Sequence, residues 1–185
     1  MKKFVISLLS VIFLCAAATA QVLVGMTDTT AYFPQLEGRR VAVLANHTAV
    51  ARFGDGAPGV AADAAVRLPV AASDGTIHLV DLLHGRGFDV TGIFSPEHGF
   101  RGTADAGEHV ASSVDAATGI PIRSLYDGNT KRPSDEAMRS FDVLVVDMQD
   151  VGLRFYTYYI TMLRMMDACA ESGRSVIVLD RPNPN

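Results

Sequence analysis

Four segments of the chain join an apolar run directly to a polar cluster, and these clusters hold the residue types that do chemistry. In open parallel sheets, ligands bind beyond the carboxyl ends of the strands. A single cluster is typical of a solvated loop, whereas four at one sheet edge indicate a functional site. The candidate residues in the four clusters are Asn46 and His47; Glu97, His98 and Arg101; Asp147, Gln149, Asp150, Arg154 and Tyr156; and Arg181.

Glu97 is the strongest catalytic candidate among these residues. It follows an apolar run, precedes His98, and has Phe94 and Phe100 close by in the sequence. A carboxylic acid that is partly shielded from water at the mouth of a pocket is suited to hold and deliver a proton. The alternative is that Glu97 forms a surface ion pair with Arg101.

The cluster at residues 147–156 suits a hydroxylated or carboxylated ligand. Asp147 and Asp150 offer carboxylates, and the guanidinium of Arg154 can pair with a ligand carboxylate through two hydrogen bonds. Tyr156 either presents a flat face to a sugar ring or packs in the core. The sequence therefore predicts a ligand with several polar groups.

The histidines leave more than one role open. His98 is predicted to orient Glu97, to bond a substrate hydroxyl or to cap its loop, and His47 to bind substrate or a neighbouring loop. A metal-dependent hydrolase using His47, His98 and His109 is a competing hypothesis, but no HExxH or comparable spacing supports it. We therefore expect no metal. No GxSxG, Walker or GxGxxG motif is present either, so a serine hydrolase, a phosphate-binding protein and a dinucleotide-binding protein have no motif behind them, and we expect no cofactor.

The elements that must position these residues follow an α/β pattern. Short β-branched apolar runs alternate with segments of helical period, which predicts a Rossmann-like, mostly parallel sheet covered by helices. Strands are predicted at residues 40–45, 88–94, 120–125, 141–146 and 175–180, and the last is predicted to be buried. Helices are predicted at residues 76–84, 134–140 and 157–173, with a loop at residues 50–74.

The predicted helix at residues 157–173 has an apolar stripe. Its members recur at helical spacing and predict the face that packs on the core: Tyr159, Met162, Leu163, Met166 and Ala170. A connection of about 25 residues follows the predicted strand at 88–94. That length exceeds the few residues usual in an α/β unit, which indicates a functional loop.

The first twenty residues predict a cleaved signal peptide. Lys2 and Lys3 precede an apolar stretch, and the small residues Ala18 and Ala20 follow it. We therefore expect residues 21–185 to form one exported domain, periplasmic or secreted, with no stable membrane insertion after cleavage. Cys169 is then the single cysteine and is predicted to be buried.

The charge of the chain excludes one class of partner. The sequence has 16 Lys and Arg against 20 Asp and Glu, a net charge of −4, which becomes more negative once the predicted signal peptide is removed. Nucleic-acid binding depends on a basic surface. We therefore expect no nucleic-acid partner.

Six ordered segments resemble those of the exo-β-N-acetylmuramidases, glycoside hydrolases once catalogued only as a domain of unknown function. They are ANHT (45–48), FSPEHGFRG (94–102), DAGE (105–108), SLY (124–126), DMQDVGLRFYT (147–157) and VLDRPNP (178–184). The resemblance spans roughly residues 24–185. It implies a Rossmann-like N-terminal domain, with the family's smaller C-terminal domain absent from this sequence and the active site in the cleft between the two.

The resemblance also implies an activity and a set of site residues. The implied reaction removes N-acetylmuramic acid from the non-reducing end of peptidoglycan-derived glycans. Glu97 would be the principal catalytic carboxylate, and the residues lining the site would be His98, Asn46, His47, Asp150, Arg154 and Tyr156.

The second catalytic group stays open at the level of sequence. Asp147, Asp150 and Asp105 are candidates, and the acetamido group of the substrate is another, so retention and inversion are both possible. A non-catalytic module that binds cell-wall glycans is a further alternative to the glycosidase.

Overall fold

The computed structural model describes residues 24–53, 75–101, 112–126 and 132–184. The described strands are β1 Arg40–Ala45, β2 Val50–Arg52, β3 Thr76–His78, β4 Asp89–Ser95, β5 Ser113–Val114, β6 Pro121–Ser124, β7 Val143–Asp147 and β8 Ser175–Val178. The described helices are α1 Thr29–Leu36, α2 Leu79–Gly85, α3 Asp135–Arg139 and α4 Tyr158–Glu171, preceded by a short 3-10 helix, Gly25–Thr27.

The main sheet has the order β5-β6-β4-β1-β7-β8. Its neighbouring strands pair in parallel, except that β5 is antiparallel to β6. The chain therefore starts at β1 in the middle, builds outward through β4 to β6, and returns to β7 on the other side of β1. The strand order reverses between β1 and β7, and such a reversal leaves a ligand crevice at the carboxyl edge. The predicted mostly parallel α/β fold is confirmed.

Alternating side chains of the central strands fill two apolar layers, one on each face of the sheet. Val41 and Val43 of β1 lie in the layer that includes buried residues of α1 and α2. Ala42 and Leu44 lie in the opposite layer, with buried residues of α3 and α4. Because successive side chains of a strand point to opposite faces, a strand between two helical layers must be apolar throughout.

Helix α4 packs on the sheet with a different face from the one that the sequence predicts. Its buried residues are Tyr158, Thr161, Met165, Ala168 and Cys169. Tyr159, Leu163 and Met166 of the predicted core face are exposed, so that prediction was wrong. Three of the five buried positions carry the small side chains of Thr161, Ala168 and Cys169, and the larger apolar side chains of the predicted stripe lie on other faces of the helix.

Three further predictions need correction. Residues 76–84 were predicted as one helix, but Thr76–His78 forms β3, and the His78 side chain caps α2 by accepting a hydrogen bond from the Val80 amide. Within the predicted loop at 50–74, Val50–Arg52 is β2, which pairs antiparallel with β3. The predicted buried strand near the end of the chain is β8, an edge strand that exposes Val178.

Cys169 is fully buried on α4, as predicted. Burial raises the pKa of its thiol to about 11, and the positive charge of Arg174 opposes this only in part. In the described part of the chain, no helix combines the length and the apolar character that crossing a bilayer would require.

Two neighbouring methionines test which face of α4 packs on the sheet. Met165 is buried and Met166 is 38% exposed. We expect Met165→Ala to lower the free energy of unfolding by about 2–5 kcal/mol, because it leaves a cavity in the core. Met166→Ala is the matched control and should cost about 1 kcal/mol or less. Urea unfolding measures both, and equal losses would contradict the assigned face.

Candidate functional site

The loop after β1 presents Asn46, which is fully buried. Its Oδ1 accepts hydrogen bonds from the amide of Thr48 at 3.0 Å and from the Thr48 hydroxyl at 2.6 Å. Its Nδ2 has no hydrogen-bond partner of ordinary geometry within the described residues. The side chain is thus anchored through its oxygen, and its Nδ2 is buried. The neighbouring His47 is exposed.

His78 fixes the backbone beneath Asn46. Its Nδ1 accepts from the amide of Val80, so its Nε2 carries the proton and donates to the Asn46 carbonyl at 2.9 Å. Burial lowers the pKa of His78; the charge of Arg101 acts in the same direction, while the Asn46 hydrogen bond and the charges of Asp81 and Asp115 oppose it. His78 therefore directly supports Asn46, a candidate binding residue.

Glu97 lies in the turn that follows β4. The Gly99 amide closes this turn on the Pro96 carbonyl at 3.1 Å. His98 has a φ of 70°, and this left-handed conformation costs a residue with a side chain about 1–2 kcal/mol. Backbone strain of this kind concentrates at functional sites, so the turn is a candidate for function.

The carboxylate of Glu97 contacts the N-terminal end of α4. The Thr157 hydroxyl donates to Glu97 Oε2 at 2.7 Å. Thr157 is held in turn, because the Thr161 hydroxyl donates to its carbonyl at 2.9 Å and the Tyr126 hydroxyl lies 3.1 Å from Thr161 Oγ1. Hydrogen bonds to charged groups contribute about 1.5–3 kcal/mol, enough to favour one orientation of a carboxylate.

Arg101, four residues after Glu97, forms ion pairs with two aspartates. Its guanidinium pairs with Asp81 at 3.1 Å and with Asp115 at 3.0 Å, and it lies over the ring of Phe100. Burial works to raise the pKa of Asp115, but hydrogen bonds from Arg101 and Thr118 outweigh it and hold that pKa below its usual range. The alternative of an Arg101–Glu97 surface pair is therefore wrong, and the predicted substrate contact of Arg101 stays a prediction.

Asp147 and Arg181, at the carboxyl ends of β7 and β8, bind each other. Asp147 is fully buried, and Arg181 contacts both of its oxygens, one through Nε and the other through Nη2 at 3.0 Å. Arg181 Nη2 also donates to the Val50 carbonyl at 3.1 Å. Burial raises the pKa of Asp147, and the bonds from Arg181 oppose that rise. The predicted substrate roles of both residues stay predictions.

Gln149 joins two neighbouring loops, and Asp150 is bonded within its own loop. The backbone N–H of Gln149 donates to the Thr48 hydroxyl at 2.9 Å, and the side-chain Nε2 of Gln149 donates to the Pro182 carbonyl at 3.0 Å. Asp150 Oδ1 accepts from the Gly152 amide at 2.7 Å. Asp150 Oδ2 is buried and has no partner among the described residues. Within the described residues, Asn46 after β1 thus has an unpartnered donor and Asp150 after β7 has an unpartnered acceptor.

Tyr158, at the start of α4, lies near Asn46 and Glu97 and was not a predicted site residue. Burial raises the pKa of its hydroxyl, and the charge of Glu97 adds to the rise. The Asn46 amide lies close enough to oppose this in part, although no hydrogen bond of ordinary geometry joins them. Its position in the sequence could have indicated a role in the site, because Thr157 and Tyr158 begin a helix at the carboxyl edge of the sheet. The neighbouring Arg154 and Tyr156 are exposed.

The metal hypothesis draws no support from the described ranges 24–53, 75–101, 112–126 and 132–184, where no three His, Cys, Asp or Glu side chains are grouped to hold an ion. His109 and Asp105 lie outside those ranges. The roles suggested for them stay predictions.

The sheet order and the polar groups beyond its strand ends define a Rossmann-like α/β protein with a candidate ligand site at its carboxyl edge. The chain belongs to the family described as "Exo-beta-N-acetylmuramidase NamZ, N-terminal", whose model matches residues 41–185. It is 39% identical over 154 residues to the Peptidoglycan beta-N-acetylmuramidase NamZ of Bacillus subtilis (strain 168), covering 83% of this chain and 32% of that protein.

Two solved structures of DUF1343 family proteins from Bacteroides fragilis NCTC 9343 are also similar. One, BF0379, shares 44% identity at a TM-score of 0.64, covering 89% of this chain and 36% of that chain. The other, BF0371, shares 34% identity at a TM-score of 0.64, covering 87% and 35%. The chain therefore spans about a third of the length of the relatives it matches.

The lowered pKa of His78 predicts a loss of stability in acid. The folded chain keeps His78 neutral, while the unfolded chain takes up a proton below about pH 6.5. The free energy of unfolding should therefore fall as the pH drops through 6.5 towards the folded pKa. His78→Gln should remove this part of the pH dependence, and the exposed His84→Gln should retain it. Urea unfolding between pH 7.5 and 5.5 measures both; identical slopes in His78→Gln and wild type would contradict the assignment.

Proposed function

We propose that this chain carries the catalytic carboxylate of an enzyme that hydrolyses the glycosidic bond of N-acetylmuramic acid at the non-reducing end of peptidoglycan fragments. The observation that carries the proposal is Glu97, whose carboxylate is oriented by Thr157 and acts, as the Asn46 amide does, on the neighbouring Tyr158 hydroxyl. Membership of the family and the name of the Bacillus subtilis relative support the same substrate.

In this proposal Glu97 acts as the general acid. It gives a proton to the glycosidic oxygen as the bond from that oxygen to C1 breaks, and a carboxyl group held in one orientation by Thr157 is suited to this transfer. A second group must stabilise C1 or activate water. Asp147 is paired with Arg181, so Asp150 is the better carboxylate for that role in the described part of the chain, with the substrate's acetamido group as the alternative.

Exposed side chains in the segment after β7 are suited to bind the sugar. Phe155 is 79% exposed, and the Tyr156 ring centroid lies 5.8 Å from that of Phe155. Exposed aromatic faces of this kind can stack on sugar rings. Arg154 is exposed one position earlier, where its guanidinium can pair with the lactyl carboxylate that distinguishes muramic acid from glucosamine.

Export of the chain is part of the same proposal. The signal-peptide pattern in residues 1–20 supports a periplasmic or secreted location, where peptidoglycan fragments occur.

The first test removes the proton of Glu97. Glu97→Gln keeps the shape of the side chain and an oxygen that can accept from Thr157, so sugar binding should survive. Turnover of a chromogenic N-acetyl-β-muramide should fall by about 10²–10⁴-fold, the usual contribution of a general acid. The exposed Glu37→Gln is the matched control and should keep full turnover. Equal turnover in both variants would contradict the proposal, and binding without hydrolysis in the wild type would favour a glycan-binding module.

The second test concerns the hydrogen bond that orients Glu97. Thr157→Val removes the hydroxyl at nearly constant volume, so kcat should fall about ten- to hundredfold while KM changes little. Thr157→Ser restores the donor and should recover most of kcat. Melting temperatures of the two variants should agree within a few degrees. An unchanged kcat in Thr157→Val would refute the role of this bond.

A further inference from the structure

The turn that carries Glu97 holds one residue in a strained conformation. The Gly99 amide closes the turn on the Pro96 carbonyl at 3.1 Å, and His98 keeps a φ of 70°. A residue with a side chain stays in this conformation only where the surrounding structure fixes it. The position of the turn therefore depends on what holds its two ends.

The two ends of the turn are held by different means. At the start, Ser95 is the last residue of β4, is fully buried, and accepts a hydrogen bond from the Leu125 amide at 3.0 Å. At the far end, Phe100 and Arg101 belong to neither a helix nor a strand. Their side chains must therefore supply the anchor that the sheet supplies at the start.

Phe100 anchors the far end of the turn through its ring. It is 3% exposed, and its ring lies nearly perpendicular to that of His78, with the two centroids 4.8 Å apart. The Arg101 guanidinium lies over the same ring, 4.6 Å from its centroid. Because His78 also donates to the Asn46 carbonyl, Phe100 links the turn after β4 to the turn after β1.

Arg101 anchors the same end through two carboxylates. Its Nε and Nη2 contact the two oxygens of Asp115 at 3.2 and 3.0 Å. Its Nη1 and Nη2 contact those of Asp81 at 3.3 and 3.1 Å. A guanidinium bound through two such forks has a defined plane and position. Asp81 lies in the first turn of α2, which His78 caps, so both anchors of the far end reach the same segment of the chain.

The burial of Asp115 keeps Arg101 in this place. Asp115 is 5% exposed, and the Thr118 hydroxyl donates to its Oδ2 at 2.7 Å. A buried carboxylate that loses its cation is costly, so Arg101 could not turn to a ligand without leaving Asp115 uncompensated. The cluster therefore favours an arginine that stays within the protein over one that binds substrate.

We infer that Arg101 and Asp115 are positioning residues for Glu97: their ion pair holds the far end of its turn against α2 and so sets where the carboxylate stands. The inference rests on the proposed function for the part that Glu97 takes in hydrolysis, whereas the anchoring of the turn does not. It also gives a role to Asp115, which was not a predicted site residue.

Kinetic measurements on variants test the positioning role. Asp115→Asn removes the charge but keeps the shape of the side chain and an oxygen for the Thr118 hydroxyl. Its kcat should fall about ten- to hundredfold with little change in KM, because a small misplacement of a reacting group has an effect of this size. Arg101→Gln should lose a similar factor, and the double variant no more than either single one, because the two residues act as a unit.

Two further variants control for stability. Asp142 pairs with Arg40 at 2.7 Å at the amino edge of the sheet, so Asp142→Asn breaks an ion pair far from the turn and should keep the wild-type kcat. Asp81→Asn leaves the buried pair of Arg101 and Asp115 intact, so it should fold even if Asp115→Asn does not, and it should lower kcat by a smaller factor at unchanged KM. Melting temperatures show which variants are folded at the assay temperature.

Amide hydrogen exchange followed by NMR tests the anchoring without turnover. The Gly99 amide closes the turn, so its exchange rate reports how firmly the turn is held. Relative to the Val43 amide in the central strand β1, it should exchange at least about tenfold faster in Asp115→Asn and measurably faster in Asp81→Asn. In Asp142→Asn the ratio should equal that of the wild type.

The outcomes separate this inference from the proposed function. Wild-type kcat in the folded Asp115→Asn and Asp81→Asn, or wild-type Gly99 exchange in both, would overturn the positioning role, and hydrolysis that requires Glu97 would then leave the proposed function standing. A raised KM in Arg101→Gln that Asp115→Asn does not share would also overturn it, because Arg101 would then bind substrate. Faster Gly99 exchange in the variants of a chain that hydrolyses no substrate would support the anchoring and contradict the proposed function.

Discussion

The buried pair of Asp147 and Arg181 is the interaction on which the carboxyl edge of the sheet depends. It joins the end of β7 to the segment after β8, and Arg181 reaches on to the Val50 carbonyl at the start of β2. An isolated buried carboxylate would be costly, so the arginine must stay in place. Apolar replacements of such a pair can be equally stable, but they would lack the hydrogen bond to the Val50 carbonyl that joins the third segment.

Among the residues that the structure describes, Asn46 and Asp150 each have one polar atom that is hydrogen-bonded and one that is not. Asn46 is held through Oδ1 while its Nδ2 is unpartnered, and Asp150 is held through Oδ1 while its Oδ2 is unpartnered, within the described residues. Thr157 anchors Glu97 in a comparable way. Groups fixed before substrate arrives need little reorganisation during reaction, which is the main advantage of an enzyme site over water.

The sequence predicted the elements with strong local signals. Strands such as β7 are apolar on both faces, and that pattern is legible in a single segment. The contact face of α4 was not predictable in this way, because large apolar residues form a stripe beside the small ones that the sheet selects. Likewise, Thr157 lies 60 residues from Glu97, and Arg101 finds Asp115 rather than its neighbour Glu97. Such pairings depend on chain topology, which local composition does not encode.

Because Cys169 is buried, the reactivity of its thiol reports on the separation of α4 from the sheet. With a pKa of about 11, the thiol is almost entirely protonated near neutral pH, and the closed α4–sheet contact shields it from solvent. Thiol reagents act on the exposed thiolate, so they meet Cys169 only in molecules whose helix has separated from the sheet. The alkylation rate would then follow the opening equilibrium of the layer that also carries Thr157 and Tyr158.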